Sequence, residues 1–390
     1  MRTFGRSLLS LWYLDPKANF LNHGSFGACP RQVLAAQTAI REEMERQPDQ
    51  FFRVKARPVS PDNAIRPAAD KFGRFVGTTG ERIAFVVNAT EAINTVLNAV
   101  EFSPGDEILV LDCVYNAVRL AVENTCKRTG ARMTAVALPI PLTANDIVER
   151  IVDAAGPRTR LAIIDHIASP TAVVFPVAEI TAALKAKNVR VLIDGAHALG
   201  QLPLDLPTIG ADWYTANAHK WLYAPKGCAF LYAAPNAAAR TLPLAVSHWH
   251  ELGFPRAFDY VGTRDVSAFL SVPAALDFIA GFGIDEIRRY MNALARDGSQ
   301  LMRSLGAEPV APDATSCAMR AYILPQRRAA DPADAAALMH DLWHKHRIQI
   351  AASAFQGKLL CRLSAQIYNE RTDFEHLVDV CLQDGWTSRR

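Results

Sequence analysis

From about residue 80 onward the chain alternates short β-branched runs with amphipathic stretches, a pattern that few architectures accept. Repeated strand–helix units return each strand to the same sheet edge and build a mostly parallel sheet with helices on its faces. The runs 83–87, 108–112, 132–138, 161–165, 189–194, 212–216 and 228–232 read as seven strands. Between them, Ile93, Val96, Leu97 and Val100 recur at helical spacing, and Ile147, Ile151 and Val152 do likewise.

After about Thr263 the texture changes. Two long helical patterns, roughly 266–281 and 284–305, lead into a second unit with strands at 317–324, 347–351 and 358–363 and helices near 331–345 and 372–384. A chain of 390 residues is too long for one small core. The expected organisation is an N-terminal arm (1–17), a large domain (18–262) and a smaller α+β C-terminal domain (263–390).

Composition narrows the function classes. Half of the residues are hydrophobic and 21% are charged, the make-up of an ordinary globular protein. A net charge of +3 over the whole length is far short of a nucleic-acid footprint. The cluster Arg53, Lys55 and Arg57 is either solvated surface or a seat for a small anion. Seven cysteines, odd in number and without C-x-x-C spacing, argue against a disulfide framework and a metal site, and fit a reducing, cytoplasmic setting. Arg2 and Arg6 precede an apolar run that Asp15-Pro16-Lys17 closes without a small-residue cleavage site, so an arm or first helix is expected there. No stretch reads as long enough to span a membrane.

In an open parallel sheet, ligands bind outside the carboxyl ends of the strands. Four ends carry polar residues: Asn88-Ala89-Thr90-Glu91, Asp165-His166, Asp194-Gly195-Ala196-His197 and Asn217-Ala218-His219-Lys220. Asn88 and Glu91 have capping-box spacing, so the first of these is either a plain helix cap or a phosphate seat built from the N–H groups of Ala89 and Thr90 and the Thr90 hydroxyl. No G-x-G-x-x-G follows a strand and no G-x-x-x-x-G-K-[ST] occurs, so the expected anion is smaller than a dinucleotide or a nucleoside triphosphate. Lys220 follows an apolar strand, where desolvation would lower its pKa and make it a nucleophile toward an aldehyde; the bland alternative is a lysine snorkelling over Trp221 and Tyr223. Asp194 ends an apolar run and needs a charged partner, which a protonated pyridine nitrogen would supply; otherwise it is a helix cap.

Together these windows resemble the fold-type I pyridoxal-phosphate enzymes of the class V aminotransferase family, in the branch of isopenicillin N epimerase-like proteins and ergothioneine-pathway carbon–sulfur lyases. The matching windows are FLNHGSFG (20–27), VVNATEAIN (86–94), DHIASPTAVVFP (165–176), LIDGAHALGQLPLD (192–205), DWYTANAHKWLYAPKG (212–227), VGTRD (261–265) and LCRLSAQIYN (360–369). The resemblance implies an aspartate aminotransferase-like α/β fold, pyridoxal 5′-phosphate as cofactor, an amino-acid substrate and a homodimer with shared active sites. It implies that Lys220 holds the cofactor as an imine, that Asp194 pairs with the ring nitrogen and that His197 approaches the ring hydroxyl. Asn88, Ala89, Thr90, Asn217 and His219 would surround the phosphate, and Tyr115 would stack on the ring. Thr263 would reach the partner subunit's phosphate, Arg362 would grip the substrate carboxylate, and Asn22 and His23 would help close the substrate pocket.

One departure bears on the chemistry. Cysteine desulfurases of this family carry a nucleophilic cysteine on a mobile loop shortly before the carboxylate arginine, and 351–357 here contains none. Cys361 should point away from Arg362, since neighbours on a strand face opposite sides. Epimerisation and carbon–sulfur β-elimination are the leading activities. Transamination is the rival within the class, and a catalytically silent scaffold or a nucleotide-binding α/β protein are the rivals outside it.

Overall fold

A computed structural model describes residues 4–142, 147–325 and 329–385; Arg2 lies outside them. Seven strands form the central sheet: β1 (Ile83–Val86), β2 (Glu107–Leu111), β3 (Arg132–Val136), β4 (Thr159–Asp165), β5 (Arg190–Asp194), β6 (Trp213–Ala216) and β7 (Ala229–Ala233). Their spatial order is β1-β7-β6-β5-β4-β2-β3. Only β7 is reversed, running antiparallel to both β1 and β6. The other six therefore point the same way and deliver their carboxyl ends to one edge of the sheet.

Nearly every residue of β4 to β7 is buried, as a sheet covered on both faces requires. The helix Ala89–Ala99 packs Ile93, Val96 and Leu97 against one face, in the register its periodicity predicts. A buried ion pair between Arg66 and Asp259 sits beside β1, with the Arg66 guanidinium also donating to the carbonyls of Gly80 and Ile83.

The second unit is a four-stranded antiparallel sheet. Its strands are β8 (Glu308–Pro309), β9 (Met319–Ile323), β10 (Ala351–Phe355) and β11 (Lys358–Ser364), in the order β10-β11-β9-β8. The long helix Ile284–Ser304 covers it together with Pro332–His346 and Arg371–Gln383. The helical pattern at 266–281 is broken into Ser267–Leu270 and Val272–Ala280, because Pro273 has no N–H to continue the first helix. The strand expected at 347–351 is also divided. Ile348–Gln349 pairs in parallel with Asn19–Phe20, a strand the sequence reading missed, and β10 then begins at Ala351.

The 351–357 stretch, a loop in the desulfurase comparison, is thus mostly strand. Gln356 (φ +50°) and Gly357 (φ +71°) form a two-residue turn whose left-handed backbone matches the twist of the β10–β11 hairpin. Small residues such as Ala351, Ala352 and Ala354 have little strand preference of their own, and pairing with β11 overrides it. Among the described residues no single helix is long and apolar enough to cross a membrane.

Candidate active site

The carboxyl edge of the central sheet encloses a cavity of about 260 Å³. Asn88, Ala89 and Thr90 reach it from the turn after β1, and Tyr115 from the turn after β2. Asp194 and His197 enter after β5, and Asn217, His219 and Lys220 after β6. Asp165, at the end of β4, also lines it, so the four strand ends picked from sequence meet in one place.

Lys220 is placed by a tight turn. Its N–H donates to the Asn217 carbonyl, and the N–H of His219 and the ring Nδ1 of His219 both reach the Cys228 carbonyl, at 3.0 and 2.8 Å. From behind, Gly27 (φ +70°) approaches so closely that a Cβ there would lie 2.1 Å from the His219 carbonyl oxygen. The Lys220 amine lies 3.3 Å from His197 Nε2. Burial lowers its pKa to about 7, helped by the Arg362 guanidinium and opposed by Asp194. Burial likewise holds His197 well below the usual imidazole range and His219 at about 4, so both rings are neutral near pH 7.

Asp194 is buried, accepts the Ala196 N–H at 3.0 Å and is in register with Asp165 on the neighbouring strand. Two buried carboxylates side by side cannot both ionise cheaply. Burial raises both carboxyls: Asp194 is drawn back down by the Ala196 N–H and Lys220, whereas Asp165, whose Oδ2 has no hydrogen-bond partner among the described residues, is pushed well up by burial and by the Asp194 charge. The sequence reading named Asp165 as a polar strand end but gave it no role. The same reading gave no role to Gly195, where a Cβ would strike the Tyr214 hydroxyl at 2.2 Å.

The turn after β1 differs in detail from its expected form. Asn88 Oδ1 accepts the Glu91 N–H at 2.9 Å, as a cap should, but the Glu91 carboxylate reaches back to the Val87 N–H instead of that of Asn88. The Ala89 N–H is not free: it donates to Asn217 Oδ1 at 2.9 Å. Asn217 is thereby clamped to the helix start, and the Thr90 N–H and hydroxyl are left as the donors facing the cavity.

Arg362 is buried against a neighbouring cleft that shares Tyr115 and Ser169 with the main cavity. Its guanidinium donates to the Ser169 carbonyl (2.6 Å) and hydroxyl (3.0 Å) and to the Ser25 hydroxyl (2.9 Å). Ser25 in turn donates to Asn22 Oδ1 at 2.7 Å, so Asn22 acts on Arg362 through Ser25. Among the described residues no carboxylate pairs with Arg362, and burial lowers its pKa to about 10. An unpaired buried cation is costly and is best relieved by an anion. Ser25 and Ser169 fall within windows that the resemblance matched, yet nothing in their type or spacing distinguishes them from ordinary loop serines. Cys361, next to Arg362, points into the core of the second unit as expected, and burial raises its thiol far above the usual range.

One expectation needs correction. His23 does not close the substrate pocket: it is fully buried behind Lys220, donating from Nε2 to the Lys220 carbonyl (3.0 Å) and accepting the Tyr368 hydroxyl at Nδ1 (2.8 Å). Burial drops its pKa to about 3, which fits a neutral tether and not a proton carrier. Thr263, which the resemblance assigns to the partner subunit's phosphate, lies outside this chain's own cavity in a groove with Tyr260, Arg57 and Trp249.

Pyridoxal phosphate can be tested against these residues. Partnerless buried polar atoms surround the site, among them His197 Nδ1, Asp165 Oδ2 and Arg362 Nε. Buried polar groups are ordinarily satisfied, so such a cluster marks a place built for a polar ligand. A lysine amine, a carboxylate and a helix start within one cavity suit an aldehyde, a ring nitrogen and a phosphate respectively.

Residues 29–377 match the family model described as aminotransferase class-V. The chain belongs to that family. It is a pyridoxal-phosphate-dependent enzyme with a fold-type I α/β architecture. It is 33% identical to isopenicillin N epimerase of Amycolatopsis lactamdurans over 94% of this chain and 95% of that one. It is 32% identical to the probable chloroplastic L-cysteine desulfhydrase of Arabidopsis thaliana over 95% of this chain and 84% of that one. Among solved structures, the cystine C–S lyase C-DES in complex with its product cysteine persulfide superposes with a TM-score of 0.80 at 22% identity, covering 93% of this chain and 97% of that one.

Proposed function

We propose that this class V enzyme acts at Cα and Cβ of an amino-acid substrate, as an epimerase or as a carbon–sulfur lyase. The observation that carries the reading is the sharing of one cavity by the Lys220 amine, with its pKa near 7, and the Asp194 carboxylate, with the unpaired Arg362 at its edge. When bound, pyridoxal phosphate supplies the electron sink that makes a Cα proton acidic.

In this reading Lys220 carries the cofactor and then moves the Cα proton. Asp194 faces the ring nitrogen, whose positive charge when protonated would favour the Asp194 carboxylate over that of Asp165, which burial pushes further up. His197 faces the ring hydroxyl, Tyr115 covers the ring, and Thr90, Asn217 and His219 receive the phosphate. Arg362, held by Ser25 and Ser169, takes the α-carboxylate. Thr263 serves the partner subunit in a homodimer, the arm and two domains divide as 1–17, 18–262 and 263–390, and the setting is cytoplasmic.

Transamination is separated from these activities by incubating the enzyme with L-amino acids in deuterated water. Deuterium at Cα with loss of optical purity is the expected mark of an epimerase, and pyruvate with ammonia from L-cysteine or its S-substituted relatives that of a lyase. Stoichiometric keto-acid from substrates without a β-leaving group would overturn both in favour of transamination.

The lowered Lys220 pKa gives a pH prediction. Only the neutral amine attacks an aldehyde, so cofactor uptake by the cofactor-free protein should accelerate about tenfold per pH unit below pH 7 and level off above it. Stopped-flow absorbance reads this directly. Acceleration continuing toward pH 10 would mean an amine at its ordinary value.

A further inference from the structure

Beside the main cavity, the β10–β11 hairpin and the turn after β2 bound a second cleft of about 350 Å³. The geometry points to this cleft as the subsite for the substrate's side chain, selecting substituents that end in a cation. The inference rests on the function proposed above and adds the substrate class.

The hairpin register decides which side chains face the cleft. Residues directly opposite one another in an antiparallel pair share a face, so Ala351, Ser353 and Phe355 lie on the same side as Arg362, Leu360 and Lys358. The packing agrees. Leu360 and Phe355 join the core of the large sheet, while Ala352 and Cys361 join the core of the second unit. Next to Arg362 the hairpin wall carries small residues, Ala351 and Ser353 on the facing side with Ala352 and Ala354 between and beyond them, which leave room for a long substituent.

The wall is held in place at its tip. Gln356 Nε2 donates to Asp112 Oδ2 at 2.8 Å and to the Leu138 carbonyl at 2.9 Å, and Lys358 Nζ donates to the Ile140 carbonyl at 3.0 Å. Asp112 thus marks the end of the cleft remote from Arg362.

The charges lining the cleft are Arg362 and Asp112. If Arg362 takes the α-carboxylate, Asp112 remains, half-buried, and among the described residues no lysine or arginine forms an ion pair with it. A carboxylate in that position favours an ammonium or another cationic group and repels a second carboxylate.

The test uses amino acids without a β-leaving group. The holoenzyme is titrated with L-lysine, L-norleucine and L-2-aminoadipate, which share a head group and differ at the tip, with L-alanine as the head-group control. Cofactor absorbance gives each Kd. L-lysine is expected to bind at least about tenfold more tightly than L-2-aminoadipate, a difference of about 1.4 kcal/mol. Asp112→Asn should bring the two within about twofold, and Ser353→Phe should weaken L-lysine by filling the cleft. Gln356→Ala, which removes the latch and keeps the charge, should preserve the order. L-alanine binding without a preference for L-lysine would overturn the subsite and leave the proposed function standing, as would loss of the preference in Gln356→Ala. No absorbance response to any amino acid would instead overturn the proposed function.

Discussion

Lys220→Ala is expected to bind pyridoxal phosphate without becoming covalently attached to it, and to turn over about 10³- to 10⁴-fold more slowly than the parent enzyme. Asp194, Asn217 and the helix start at Ala89 are held by backbone and side-chain hydrogen bonds that do not involve the lysine side chain. The substitution removes both the amine that attacks the aldehyde and the group that moves the Cα proton. Borohydride treatment followed by peptide mass analysis should tag Lys220 in the parent protein and nothing in the variant. A tag on Lys226, the other lysine near this turn, would show that the wrong amine had been chosen. Turnover within tenfold of the parent would remove Lys220 from the chemistry altogether.

Arg362→Lys should lower kcat/KM by about 10²-fold, with most of the loss in KM, and Arg362→Ala should lower it at least as much. Lysine keeps the charge but not the planar fork that now spans Ser169 on one side and Ser25 on the other. Truncating one partner of a buried, hydrogen-bonded charge pair typically costs about 2–5 kcal/mol, which sets the scale. A variant with unchanged KM for an amino acid, and an unchanged ratio for the amino acid against its decarboxylated amine, would show that the α-carboxylate binds elsewhere.

Lys220 and Asp194 were legible because each breaks a local rule, whereas Arg362 was legible only through the family resemblance. A lysine and an aspartate at the ends of apolar strands have no obvious solvent to reach, and the sheet topology implied by the strand–helix alternation brings such ends together. The seven strands were legible for the same reason, since long buried runs leave few alternatives. His23 was misread because its window, FLNHGSFG, places a polar residue near the site without saying which way it faces. Only the packing of Gly27 against the His219 carbonyl shows that the segment passes behind Lys220. Ser25 and Ser169 could not be singled out from the sequence, because their importance comes from a guanidinium almost 200 residues or more away along the chain. The strand character of Ala351–Phe355 was hidden for a related reason: its stability comes from pairing with β11 and not from its alanines.

The grip on Arg362 joins segments more than 300 residues apart along the chain. Asn19–Phe20 pairs with Ile348–Gln349, the Gly5 N–H donates to the Ile367 carbonyl, and Arg6 pairs with Asp373. During synthesis the strands bearing Asp194 and Lys220 leave the ribosome well before Arg362 does. The nascent chain can therefore assemble the chamber around its lysine early, but the Ser25 and Ser169 grip on Arg362 forms only once the β11 segment has emerged and packed back against residues 19–25.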